Sequence, residues 1–555
     1  MPSTLTAVVA APAARASRIR PGPLLAAGFL VQVTLRLWLF RFHTRPVANP
    51  DETGYLIAAR WLAGGPAADF SGSTFYQGGY ALLLTPAHWL ADDPVTVYRL
   101  VVVLGSVAAA GVFPLAYLML RRLGLGRRAA LPLGFAAGAA PSLLLFSGLA
   151  LADAMLPTLL LGWLLAVHEL ARGGSVRAAL GAGTVAAYAA AVHLRGTVIL
   201  AVTVAVVVGL LAGRRLPRRA GVAALAAAGV VLAAGQALNG AVAAGLYPGG
   251  HRDLSGLAVE RFTSLEGQAW ALAGAAGQLW YLIVGTWGLA GAGMVAAVVV
   301  AVRRAGPFGL RVAAGALLAT TLGIAYASSA ALPDEHRVGN YAYGRYLACV
   351  AVVWLLAGLV ALVRARRGAV LRYAAASAAL AAVTGGAAAW YAGDRLRRYA
   401  FIAFDFPEIS FLSGVRDSLD MAKASAVAAV FLACLTAAAC LPRHRGAAVS
   451  AVLAAIHLAF AAYLAPAAPR AGDGLPAPAA GGRVAVDARL PWRIALPLAN
   501  KVWWTALERY DGARQGPPPG ACTAVVPDTA GPPPEGWAVS GRGGGWTAWA
   551  SGSCR

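Results

Sequence analysis

Long apolar runs constrain this chain more than any other feature. Stretches of about twenty mostly apolar residues recur up to about residue 465, each long enough to cross the roughly 30 Å hydrocarbon core of a bilayer as a helix. Thirteen can be read, over residues 23–41, 97–120, 129–147, 151–171, 178–194, 197–213, 221–246, 279–302, 309–331, 346–363, 372–392, 422–441 and 447–465. Backbone polar groups in lipid must be satisfied within their own segment. The runs therefore predict an all-α polytopic membrane protein of about thirteen transmembrane helices. Only 12% of the residues are charged, against about 25% in a soluble chain. That excludes a water-soluble globule, a disordered chain and a nucleic-acid-binding arm, and makes the lipid bilayer the first partner.

The net charge of +23, from 46 Lys+Arg against 23 Asp+Glu, would suggest a polyanion partner on a soluble surface. Here it reports topology. Arg clusters occupy alternate connections: Arg15/Arg18/Arg20, Arg121/Arg122/Arg127/Arg128, Arg172/Arg177, Arg214/Arg215/Arg218/Arg219, Arg303/Arg304, Arg364/Arg366/Arg367/Arg372 and Arg443/Arg445. By the positive-inside rule these lie in the cytoplasm. The expectation is a multi-pass plasma-membrane protein with a cytoplasmic N-terminal segment (1–22) and an extracytoplasmic C-terminus. The first run has a basic flank, but Phe40–Pro46 offers no small-x-small cleavage site, so it reads as a retained anchor. Of the 23 acids, only Glu169 falls near an assigned cytoplasmic connection. Acids hardly influence orientation, so their asymmetry points to polar work on the outer face.

Cys349, Cys434 and Cys440 fall inside apolar runs and read as small buried residues. Cys522 and Cys554 lie in the tail assigned to the outside, where a disulfide can persist. From Pro466 the chain is rich in Pro, Gly and Trp, with short apolar runs at Arg483–Asp487 and Cys522–Val526. Residues 466–555 are expected to form a small, partly β, disulfide-closed outer domain.

The outer polar residues gather in a few places. The connection from His43 to about Thr96 contains NPDETGYLIAARWLAGG (Asn49 to Gly65). Asn49 can cap a helix, Pro50 suits its first turn, and Glu52 fits a variant capping box. Asp51 is less well explained as a dipole acid, since it shares a helical face with Tyr55 and Ala58. The stretch Phe75–Arg99 is too short in apolar residues to span. It is expected, with the helix after Asp51, to form outer juxtamembrane helices. Asp153 opens an otherwise apolar helix, and an ionisable group at membrane depth is a functional-site hypothesis by default. Basic and aromatic residues face the same side: Arg36, His193, Arg195, and His336, Arg337, Tyr341, Tyr343, Arg345 and Tyr346. Singly, such arginines are more often lipid contacts. Around two lone acids they suggest a site for a phosphorylated, lipid-embedded substrate.

These features resemble the GT-C class of integral-membrane glycosyltransferases, which includes protein O-mannosyltransferases, aminoarabinose transferases and actinobacterial envelope glycosyltransferases. The resemblance rests on Arg36, the pair Asp51-Glu52 followed by Tyr55, the stretch YQGGYALLLTP (Tyr76 to Pro86), Asp153, LRG (Leu194 to Gly196) and YGRY (Tyr343 to Tyr346). It is fair over about residues 22–215 and loose beyond, so 23–220 reads as the catalytic membrane module and 221–465 as additional helices. It implies transfer of one sugar from a polyprenyl-phosphate donor to an acceptor hydroxyl of an envelope glycan, lipid or protein, on the extracytoplasmic side and with inversion. Asp51 is the implied base, with Glu52 and Asp153 as further catalytic acids. Arg195, Arg337 and Arg345 are candidates for the leaving phosphate, and Arg36, Tyr55, His193, His336, Tyr343 and Tyr346 for substrate binding. Some GT-C members bind a divalent cation through such acids. Two acids without a His or Asp cluster predict no tightly bound metal or other cofactor here.

A transporter or flippase of a lipid-linked or polar solute would place ionisable groups along a mid-membrane path, whereas the interior runs are almost wholly Ala, Val, Leu and Gly. A non-catalytic envelope scaffold is the third reading. The outer stretch Gly393–Asp420 is unusually polar and aromatic for this chain, and its sequence does not decide between an acceptor-facing and an interfacial role.

Overall fold

The computed structural model describes residues 21–303, 306–441, 443–466, 475, 483–501 and 507–554. Nearly all of the expected cytoplasmic segment 1–22, with Arg15, Arg18 and Arg20, falls outside the described residues, as does Arg304. Among the described residues nine helices are long and apolar enough to cross a membrane, and a tenth span results if Leu265–Gly285 and Leu289–Val302 are joined across their 112° bend. The chain is a multi-pass membrane protein.

The other three apolar runs fall on helices that are broken, less apolar or shorter. Residues 129–147 divide into Arg127–Gly138 and Pro141–Phe146. Leu156–Gly173 carries His168, Glu169 and Arg172 in its last turns, and Val176–Val192 has only 17 residues. Both are packed among other helices, with Leu160, Leu161, Trp163 and Val167 of the first and Ala182, Ala186 and Ala189 of the second buried. A helix surrounded by protein need not match the bilayer's length, which is why apolar periodicity alone overstates its span. Asp51–Leu62 and Gly78–Leu90 are the two short helices of the first outer connection, and Asp93 caps the next helix by accepting from the Val95 and Thr96 amides.

The polar groups sort to opposite ends of the bundle. Arg122 pairs with Glu169, and Arg172 approaches the same carboxylate at 3.5 Å. Arg364 donates to the Leu123 carbonyl, Arg445 donates to that of Ala365, and Arg215 lies over the Phe308 ring. The arginine-bearing connections therefore meet one another at one end. At the other end, residues 47–52, 76, 150–153, 195 and 345 meet through a separate set of hydrogen bonds. Of the three cysteines expected to be buried only Cys349 is: Cys434 is exposed on the outward face of its helix and Cys440 is half-buried.

The tail forms a five-stranded sheet in the order β2-β1-β3-β5-β4 from β1 (Arg483–Asp487), β2 (Leu507–Tyr510), β3 (Ala521–Val526), β4 (Trp537–Gly543) and β5 (Trp546–Ser551). β1 pairs in parallel with β2 and β3, and β5 runs antiparallel to β3 and β4. Parallel neighbours need a crossover, and helix Trp492–Lys501 stands between β1 and β2 in the chain. Its Ile494 and Leu498 pack on Val484, Val486 and Val525 of one sheet face. Cys522 and Cys554 are joined as a disulfide. The domain rests on the membrane part through Arg60, which donates from Nη1 to the Ala499 carbonyl at 3.0 Å.

Candidate functional site

Asp51 is the first residue of helix Asp51–Leu62, but the helix does not start as a capping box. Its N-cap is Pro50, without a side-chain bond, and the Asn49 side-chain Oδ1 accepts from the Thr53 hydroxyl instead. Glu52 is fully buried and bonds both the chain just ahead of the helix and two distant segments. Its Oε1 accepts from the Val47 and Ala48 amides at 2.7 Å, and its Oε2 from the Tyr98 hydroxyl and the Ala150 amide at 2.7 and 2.8 Å. Burial pushes its carboxyl up while those bonds oppose the shift. Glu52 thus stitches three chain segments together. Its neighbour Asp51 keeps 31% of its side chain exposed. The Tyr76 hydroxyl donates to Asp51 Oδ1 at 2.9 Å, and Arg345 Nη1 bonds Oδ2. Tyr76 can reach over the helix because residue 54 is glycine, whose added Cβ would lie 2.1 Å from the ring. Tyr55 is buried edge-on to Tyr76 and Tyr80, completing an aromatic floor beneath Asp51.

Asp153 sits in a single 3-10 turn, Ala152–Ala154, with 1% of its side chain exposed. Arg195 Nη2 donates to its Oδ1 at 2.7 Å and Arg345 Nε to its Oδ2 at 2.9 Å. Two buried guanidinium groups and two carboxylates thus neutralise one another, as buried charges must. Every nitrogen of Arg195 is bonded: its Nη1 also donates to the Arg345 and Tyr346 carbonyls at 3.1 and 3.4 Å, and its Nε to His193 Nδ1 at 3.4 Å. Those of Arg345 are not all bonded. Nε and Nη1 are used, while Nη2 makes no hydrogen bond among the described residues. The YGRY motif places it. An added Cβ on Gly344 would lie 2.0 Å from Tyr281, so only glycine lets the chain pass that ring. Tyr343 and Tyr346 meet edge-on, with centroids 4.6 Å apart, between two cations, with Arg337 5.4 Å from the Tyr343 centroid and Arg195 5.6 Å from that of Tyr346.

Asp51, Asp153, Tyr55, His193, Arg195, Arg337, Tyr343, Arg345 and Tyr346 therefore come together, across the expected division at residue 220. Arg36 does not join them. It is buried in the first helix, where Nη1 bonds Gln32 and Nη2 the Gly138 carbonyl at the end of helix Arg127–Gly138. It satisfies a helix terminus rather than a ligand. His336 is exposed and packs on Tyr399.

Three participants escape the sequence reading. Tyr76 was visible only as part of a motif. Asp405 and Glu408 belong to the polar stretch 393–420 whose role the sequence leaves open. Both are buried beside Arg345 in one pocket, and Tyr281 donates to Glu408 Oε2 at 2.6 Å. Burial pushes Asp405 up to about 6 and Glu408 up to about 7. No three His, Cys, Asp or Glu side chains form a metal-holding group among the described residues. The oxygens of Asp51 and Asp153 already face guanidinium or phenol donors, a donor set that does not fit a divalent cation.

No family model and no curated protein sequence matches the chain. Among solved structures, apo ArnT from Cupriavidus metallidurans superposes with a TM-score of 0.53 at 15% identity, over 96% of this chain and 99% of that one. The chain has the GT-C fold. ArnT bound to undecaprenyl phosphate gives the same TM-score at 16% identity, over 96% and 98% of the two chains. The arabinosyltransferase EmbB of Mycobacterium smegmatis aligns at a TM-score of 0.43 and 15% identity, over 82% of this chain and 42% of its own. At these identities the likeness is one of fold, and it extends over the helical part and the tail sheet alike. The GT-C fold thus accounts for the architecture, and the chemistry must be argued from the side chains.

Proposed function

We propose that this protein is an inverting glycosyltransferase that moves a sugar from a polyprenyl-phosphate donor to an acceptor hydroxyl of the cell envelope. The observation that carries the reading is the contrast between two acids tied to one arginine. Each acid accepts one bond on each oxygen, but Asp153 is sealed with 1% of its side chain exposed, whereas Asp51 is one-third exposed. A carboxylate oxygen has room for a second donor, so an acceptor hydroxyl can bond Asp51 without displacing Tyr76 or Arg345. As the acceptor oxygen bonds the anomeric carbon, its proton passes to Asp51. The bond from that carbon to the phosphate oxygen breaks, and its electron pair leaves with the lipid phosphate.

The growing charge on the phosphate needs preorganised donors. Arg345 Nη2 and Arg337, whose Nε has no partner, meet that need. Arg195 has all three of its nitrogens bonded and acts by holding Asp153, Arg345 and His193 in register. Glu52 and Asp153 are likewise positioning residues. No step here uses a metal. The fold's kinship with an ArnT solved with undecaprenyl phosphate supports the lipid donor class. The collection of acids at one end and arginines at the other supports an outward-facing site, with residues 1–22 inside and 466–555 outside.

The test is transfer from radiolabelled polyprenyl-phosphate sugars by purified protein. Asp51→Asn is expected to abolish transfer while donor binding persists. Near-normal turnover by that variant would overturn the assignment, and lipid translocation without transfer would favour a transporter.

A further inference from the structure

The end of the bundle opposite the candidate site carries arginines that the transfer chemistry does not use. Arg215 follows the spanning helix Arg195–Ala212 by three residues, and Arg311 sits in the first turn of the spanning helix Phe308–Ala331. Both therefore lie where a spanning helix meets the headgroup layer of a bilayer. Phe308 stands three residues before Arg311 and so shares its helical face. The guanidinium carbons of Arg311 and Arg215 are 5.4 and 5.1 Å from its ring centroid, so one ring holds two cations.

Neither cation has an acceptor. Among the described residues the side chains of Arg215 and Arg311 make no hydrogen bond and no ion pair, and Arg311 Nε is buried without a partner. Their placement is unfavourable as it stands, because two like charges share one ring and the amino end of a helix repels cations. The acid of this end is already engaged: Glu169 is bonded by Arg122 and approached by Arg172, against which Gly309 packs. The surface beside the pair is apolar. Val204 and Val208, one turn apart on helix Arg195–Ala212, are 39% and 51% exposed, and Leu322 of helix Phe308–Ala331 is 54% exposed. Gly315, one turn beyond Arg311, faces open space, since an added Cβ would meet nothing within 4 Å. A free anion would answer only the charge. A ligand with an anionic head and apolar tails matches charge and surface together.

We infer that Arg215 and Arg311, braced on Phe308, bind an anionic phospholipid of the leaflet opposite the candidate active site. The headgroup phosphate accepts from the two guanidinium groups, and the acyl chains lie on the apolar faces of the two helices. The inference stands apart from the glycosyltransferase reading, because the site shares no residue with the ion-pair cluster. Helix Arg195–Ala212 nevertheless begins with Arg195, which holds Asp153, so the lipid fastens the far end of a helix that carries a residue of that cluster.

The experiment titrates full-length protein in detergent with phosphatidylglycerol and, separately, with phosphatidylcholine, and counts bound lipids by native mass spectrometry. Wild type should bind phosphatidylglycerol more tightly than phosphatidylcholine. The double variant Arg215→Gln/Arg311→Gln should lose about thirtyfold in affinity for phosphatidylglycerol, the effect of two juxtamembrane arginines. Its phosphatidylcholine binding should stay unchanged, which also reports that it is folded. Arg215→Lys/Arg311→Lys keeps both charges and should keep most of the preference. Arg366→Gln/Arg367→Gln removes two arginines of the same end and should leave it intact. No preference in wild type, equal weakening of both lipids, no loss in the Gln pair, or the same loss in the Arg366/Arg367 control overturns the assignment. Displacement of phosphatidylglycerol by excess inorganic phosphate overturns it too, since the site would then take a free anion.

Discussion

Asp51 and Asp153 are held on one guanidinium: Arg345 Nε lies 2.9 Å from Asp153 Oδ2, and its Nη1 bonds Asp51 Oδ2. The sealed acid therefore fixes the arginine, and the arginine fixes the open acid. Because both ion pairs are largely desolvated, their loss cannot be made good by water.

Asp153→Asn leaves Arg195 and Arg345 short of a counter-charge in buried surroundings. It should destabilise the protein by about 3 kcal/mol or more, read as a lower denaturation midpoint of the full chain in detergent. An unchanged midpoint would mean that water or another acid replaces Asp153.

Glu52→Gln sets an amide nitrogen against two of the four donors that Glu52 now accepts. The cost expected is about 1–3 kcal/mol of stability, with turnover per folded molecule preserved. A large fall in turnover at unchanged stability would instead place Glu52 in the chemistry.

Tyr76→Phe deletes one hydrogen bond to Asp51 and little else, since the ring stays packed on Gly54 and Tyr55. A loss of about 1 kcal/mol in transition-state stabilisation corresponds to roughly fivefold in kcat. The lipid-donor KM should not move, because the hydroxyl removed donates to Asp51.

Asp405 and Glu408 make stability depend on pH in an unusual direction. Their folded values of about 6 and about 7 lie above the ordinary 3.8 and 4.5, so the folded state binds more protons than the unfolded one in between. The stability they contribute is fully present below about pH 4 and is lost as pH rises through about 6 and 7. Denaturation midpoints measured from pH 4.5 to 8 should fall with pH in wild type and fall less in Glu408→Gln, where only Asp405 still titrates. A midpoint that rises with pH through this window, in both proteins alike, would count against the assignment.

What could be read from the sequence depended on what the membrane makes anomalous. Spanning helices announce themselves because lipid demands contiguous apolar length, and Asp51 and Asp153 stand out because acids are rare in such surroundings. Arg36 misleads for the same reason. An arginine inside an apolar run looks alike whether it meets a ligand or, as here, a helix-end carbonyl at Gly138. Asp405 and Glu408 are hidden by the opposite circumstance. Acids in an outer loop are unremarkable, and only folding brings Glu408 to Tyr281, 127 positions away in the chain. The break at residues 285–289 and the division of 127–146 also escape a pattern that counts apolar residues without their backbone angles.

The helix that begins at Asp51 carries, nine residues on, the Arg60 that bonds the tail domain. Those nine residues make a rod of about 14 Å. With Arg60 as fulcrum, a swing of about 4° carries the Asp51 end through about 1 Å, a misplacement of the size that costs a catalyst about a hundredfold. The folded tail thus holds the far end of the helix that carries Asp51, and loosening it is expected to shift the carboxylate proposed as the base without touching any group that reacts.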